Sequence, residues 1–100
     1  MQTRVDVKGI GRFLMARVAD DDRLHLHVSK VGPGERAHPP HTHEGQEIFY
    51  VLAGRCEVLH GEDVHQLDAG DTIQLDCTVL HGITNIGETD MQYAVIISRH

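Results

Sequence analysis

HTHEGQEIFYVLAG, residues 41–54, carries an apolar run and a cluster of imidazole and carboxylate side chains in one short stretch. Ile48–Ala53 is an apolar run of strand length that stops at Gly54 and Arg55. Just upstream, His41 and His43 stand at i and i+2. On an extended strand those side chains point to one face, so two imidazoles can reach the same point. Glu47 follows His43 by four residues, with Gly45 between them to let the backbone bend, and it adds a carboxylate. Phe49 and Val51 share the parity of Glu47 and are expected to line the same interior, while Tyr50 points away.

Outward from this stretch the same texture continues. Short apolar segments recur at Phe13–Ala19, Leu24–Val31, Cys56–Leu59, Val64–Leu67, Thr72–Leu75, His81–Ile86 and Met91–Ser98, separated by Gly, Pro, Asp and Asn. The run Asp20–Asp22 reads as a turn, residues 31–35 (VGPGE) as a loop, and residues 60–63 (HGED) as a four-residue hairpin loop. No window shows a sustained helical period. Eight strands at regular spacing mean an all-β sandwich or barrel. His81 lies far along the chain but opens a strand-like segment, and it meets His41, His43 and Glu47 if the sheet closes on itself. Three neutral imidazoles and one carboxylate oxygen suit a borderline divalent cation such as Zn, Fe, Mn, Ni or Cu.

Two longer patterns sharpen this reading. Residues 41–54 resemble the first motif of the cupin family: HxH, three residues, Glu, six residues, Gly. Residues 70–85, GDTIQLDCTVLHGITN, resemble the second: Gly, a short strand, a turn, His, three residues, Asn. Asp76 stands where that motif commonly has Pro, and Thr78 where it commonly has Gly. The resemblance implies one cupin domain over residues 1–100, folded as a double-stranded β-helix or jelly-roll barrel. It makes His41, His43, Glu47 and His81 the ligands of one divalent transition metal in the barrel mouth, and Gly54, Gly70 and Asn85 turn or strand-end residues. It further implies a small polar organic substrate and isomerase, lyase or dioxygenase chemistry. A non-catalytic small-molecule sensor and a structural metal-binding barrel stay open as alternatives. A homodimer is expected at the family level, because open jelly-roll sheets often pair their edges.

Composition removes other classes. The chain has 100 residues, a formal net charge of −6 and nine Lys and Arg with no basic run, so it offers no footprint for a nucleic-acid backbone. Its apolar runs fall far short of the roughly 20 residues that span a bilayer. The N-terminal stretch lacks the apolar segment of a signal peptide, which gives a cytoplasmic expectation and two free thiols, Cys56 and Cys77.

Histidine is the outlier, with nine in the chain. In LHLHV (24–28), alternation places Leu24, Leu26 and Val28 on one face and His25 and His27 on the other, where solvent or a hydrogen bond would hold them. His38 reads as a loop residue or, alternatively, as a contact behind the ligands or over the site, and His60 and His65 as exposed flanks of a hairpin. Asp76 is either a turn-stabilising residue or a general base beside the metal. Cys77 is expected as a small buried filler, with a functional thiol as the alternative, and Tyr93 as a further wall of the pocket.

Overall fold

The structure is a computed structural model that describes residues 6–10, 13–20 and 23–98, with side chains from residue 23 onward. The described residues form strands β1 (Asp6–Ile10), β2 (Phe13–Asp20), β3 (Leu24–Val31), β4 (Gln46–Ala53), β5 (Arg55–His60), β6 (Asp63–Asp68), β7 (Thr72–Asp76), β8 (His81–Asn85) and β9 (Met91–Ser98), and no helix. They make a six-stranded sheet in the order β1-β2-β3-β9-β4-β7 and a three-stranded sheet in the order β6-β5-β8. The pairings are antiparallel throughout, as expected of the jelly roll. Strand β1 was not expected from the sequence. Of the turn expected at Asp20–Asp22, Asp21 and Asp22 lie outside the described residues.

Registration across the large sheet explains where side chains meet. Residues directly opposite in an antiparallel pair share a face. His25, Ile97, Glu47 and Leu75 therefore form one inward row, and His27, Val95, Phe49 and Ile73 form the next. Ser29, Tyr93 and Val51 form a third. Opposite them, β5 and β8 turn Cys56, Val58 and Ile83 inward, and these pack with Val31, Phe49, Val51, Leu75, Met91, Tyr93 and Val95 as the core. Asn85 sits at the end of β8, fully buried yet satisfied. Its Nδ2 donates to the carbonyls of Val31 and Thr89 at 3.1 and 2.8 Å, and its Oδ1 accepts from the Gly87 N–H at 2.8 Å. By contrast β6 is exposed along nearly its whole length, with only Leu67 half-buried.

Three local expectations change. On β3 the shared faces are as expected and His25 hydrogen-bonds to His27, but the histidine face is the one that looks inward: His25, Ser29 and Val31 are buried, whereas Leu24 is exposed and Leu26 and Val28 are half-buried. Alternation in LHLHV fixes which residues share a face but not which face looks inward. The hairpin between β5 and β6 is tighter than four residues, because His60 pairs with Asp63 and only Gly61 and Glu62 turn the chain. His60 is half-buried rather than exposed, and its Nε2 lies 3.3 Å from the Asp76 carbonyl. As expected, Tyr50 faces out, and Cys56 and Cys77 are free and separately buried.

Gly54 turns β4 into β5 at φ 86°, a region that side chains with a Cβ rarely adopt. A Cβ there would stand 2.9 Å from the Met91 Cα, a backbone atom that cannot swing aside. Gly54→Ala should therefore cost about 2 kcal/mol or more of unfolding free energy in urea titrations. Gly70→Ala, with a positive φ but open space around it, should cost less. Equal losses would show that the Met91 contact is not limiting.

Candidate metal centre

Two distant segments are laced together by backbone hydrogen bonds. His41 and His81 exchange a pair of them, N–H to carbonyl at 3.0 and 3.1 Å. The His43 N–H donates to the Cys77 carbonyl at 2.9 Å, and the Cys77 N–H donates to the Gly45 carbonyl at 3.0 Å. Gly45, at φ 103°, then turns the chain so that β4 begins with Glu47 facing inward. Gly82 lies against Pro40, where an added Cβ would stand 3.2 Å from the proline Cγ, so the residue before His41 is seated on β8 as well.

The result is a convergence of donors. One ligand atom each from His43, Glu47, Cys77 and His81 lies within 4.8 Å of every other. Around Glu47 Oε2, His43 Nε2 is at 3.1 Å, His81 Nε2 at 3.5 Å and Cys77 Sγ at 3.6 Å. Ligands about 2.0–2.3 Å from one ion at tetrahedral angles stand roughly 3.3–3.8 Å apart, so this spacing suits a cation.

Proton placement supports the same fit. A carbonyl oxygen only accepts, so His81 Nδ1, 2.9 Å from the Val79 carbonyl, carries the ring proton in the neutral imidazole. His43 Nδ1 is held the same way by the Glu44 carbonyl at 3.0 Å. Both Nε2 atoms then present lone pairs towards a carboxylate. His81 Nε2 is completely buried and makes no hydrogen bond, an arrangement that a divalent ion would satisfy. The Cys77 thiol is pushed up to about 12 by burial and by the Glu47 carboxylate, so it holds its proton until something replaces it.

His41 stands beside this group. Its ring centroid is 4.8 Å from that of His81, 5.1 Å from that of His43 and 4.3 Å from that of His38. Burial, followed by the neighbouring His38, His81 and His43, lowers its pKa against the opposing pull of Glu47. It therefore stays neutral, and able to ligate, to lower pH than an isolated histidine.

A cavity of about 580 Å³ opens onto the group, lined on its polar side by His27, His38, His41, His43, Glu44 and Glu47. Phe49, Ile83, Tyr93, Val95 and Ile97 supply its apolar wall. Two of the three expected pocket residues, Phe49 and Tyr93, are in that wall. Val51 is not: it lies one inward position further along β4, fully buried in the core. Asp76 is exposed and outside the lining. Its Oδ1 accepts from the Thr78 N–H at 3.0 Å and the Thr78 hydroxyl at 2.7 Å, which depresses its pKa and makes it a turn residue. Sequence reasoning favoured Cys77 as a filler over a functional thiol and did not foresee His27 as a lining residue. The second follows from the inward histidine face of β3. For the first, parity was uninformative, because Cys77 lies in a loop.

Comparison with known proteins agrees with this architecture. Residues 27–97 match the family model described as a cupin domain. An oxalate-binding protein from Thermotoga maritima is 34% identical over 97 residues, covering 89% of this chain and 78% of its own. Among solved structures, an RmlC-like cupin from Shewanella frigidimarina superposes with a TM-score of 0.84 at 19% identity, covering 100% of this chain and 96% of that one. A predicted oxalate decarboxylase from Thermotoga maritima gives a TM-score of 0.83 at 24% identity, with 98% of each chain covered.

Protons compete with metal for an imidazole nitrogen, and they do so increasingly below the ordinary histidine pKa of about 6.5. Cobalt or zinc affinity should therefore fall steeply from pH 7 to pH 5 in equilibrium dialysis. At pH 7 His81→Ala should lose most of the bound metal, while His65→Ala, on exposed β6, should keep it. A flat pH profile, or equal retention by both variants, would sink the donor group as a metal site.

Proposed function

This chain belongs to the cupin family, and from that footing we propose that it binds a small carboxylate through one divalent metal in the mouth of its barrel. The observation that carries the reading is the buried, unpartnered Nε2 of His81, which faces Glu47 and His43 where both border the cavity. We assign the metal to His43, Glu47 and His81, with His41 adding a further imidazole from the rim. The chemistry such an ion supplies is Lewis-acid attraction for two ligand oxygens in place of water. The protein's own groups do the rest. Phe49, Val95 and Ile97 present an apolar wall that takes the carbon skeleton and excludes water. The name of the oxalate-binding relative supports a carboxylate as the ligand class.

Turnover of the bound carboxylate is the second reading, favoured by three titratable cavity residues outside the donor group: His27, His38 and Glu44. Each could move a proton to or from a ligand held at the metal. In this reading the reaction is an isomerase, lyase or dioxygenase step, and the base comes from this trio.

Calorimetric titration with oxalate and with malonate tests the binding proposal. Metal-loaded protein should bind at least one of them about tenfold or more tightly than chelator-stripped protein. Phe49→Ala should weaken malonate more than oxalate, because only malonate has a methylene to place against that wall. Equal affinity with and without metal would remove the metal from recognition, and no binding of either acid would remove the carboxylate.

A further inference from the structure

The chain has two buried cysteines, and their surroundings differ. Cys56 lies within the apolar cluster with Val58, opposite Leu67 and Asn85 in the small sheet. Its burial raises its pKa to about 11, and it belongs to no donor group among the described residues. Cys77 sits in the loop after β7. Its backbone is clamped on both sides, accepting from His43 and donating to Gly45, so the side chain is aimed by the same hydrogen bonds that aim the imidazoles. Its Sγ is completely buried and has two polar neighbours: Glu47 Oε2 at 3.6 Å and the Leu75 carbonyl at 3.9 Å.

A filler residue would be surrounded by carbon. Cys77 instead faces the one carboxylate oxygen that His43 and His81 also face. The orphaned His81 Nε2 belongs to the same group, a second and independent sign that something is meant to sit among these atoms. We propose that Cys77, buried and outside the cavity lining, is a thiolate ligand of the metal, making this a mixed nitrogen–oxygen–sulfur centre. This rests on the metal reading above and adds the identity of one ligand to it.

The step balances without an oxidant. The Cys77 S–H bond breaks, a metal–sulfur bond forms, and the proton passes to solvent, with Glu47 Oε2 as the first acceptor in line. No atom changes oxidation state. The consequence is selectivity. A soft thiolate favours thiophilic ions such as zinc, cadmium and cobalt over manganese and magnesium, which an all nitrogen–oxygen set discriminates less.

Cobalt(II) reports sulfur ligation directly, through a sulfur-to-cobalt charge-transfer band in the near ultraviolet. The cobalt-loaded wild-type chain should show it, Cys77→Ser should lose it, and Cys56→Ser and His65→Ala, the latter on exposed β6, should retain it. Cys77→Ser should also lower the preference for cadmium over manganese by about tenfold or more in competition dialysis. Should Cys77→Ser fail to fold, X-ray absorption fine structure on zinc-loaded wild-type protein decides, by a sulfur scatterer at about 2.3 Å. Cobalt bound with no band, or zinc bound with no sulfur scatterer, would overturn the thiolate ligand and leave the metal reading standing. Failure of the wild-type chain to bind either ion would bring down both.

Discussion

Glu47 is only 4% exposed, and its Oε2 stands 3.1–3.6 Å from two imidazole nitrogens and a thiol. A carboxylate taken out of water costs several kcal/mol unless charge or hydrogen bonds replace the lost hydration. With both rings neutral, the nearest imidazole atoms offer only lone pairs, since the Val79 and Glu44 carbonyls accept from the far nitrogens. A positive charge among these atoms turns mutual repulsion into mutual attraction. The surrounding fold is the means of holding these four groups together.

The holding is done by backbone. The hydrogen bonds between the segments 41–45 and 77–81 fix where each donor begins, and the antiparallel register of β4 with β9 and β7 fixes where Glu47 and its neighbours end up. Side-chain packing contributes from below, through the core shared by the two sheets. The two donor-bearing segments consequently rest both on one another, through these bonds, and on the core beneath them.

Much of this was legible in residues 41–54 and 70–85. The inward parity of Glu47 and Phe49 and the turn glycines Gly54 and Gly70 are local facts that translate directly into strands and bends, whereas His41 and His43 precede β4 and are placed by backbone bonds to His81 and Cys77. Strand β3 shows the limit of such patterns. His25 and His27 share a face with Ser29 and Val31, and the pairing of β3 with β9 decided that this face looks inward. Val51 shows a second limit, because parity gives the face but not the depth along the strand at which the cavity ends. Cys77 shows a third: its aim comes from hydrogen bonds to His43 and Gly45, more than thirty residues away, which no local spacing encodes.

The row of His27, Val95, Phe49 and Ile73 runs one inward step beyond the row that contains Glu47, roughly 7 Å along the strands. Three of those four side chains line the cavity, and none belongs to the donor group. Mutational drift at that row can reshape the chamber while the donors keep their positions. The shape of the chamber and the geometry of the donor group are thus set by different rows of the sheet, so that one can change while the other stays fixed.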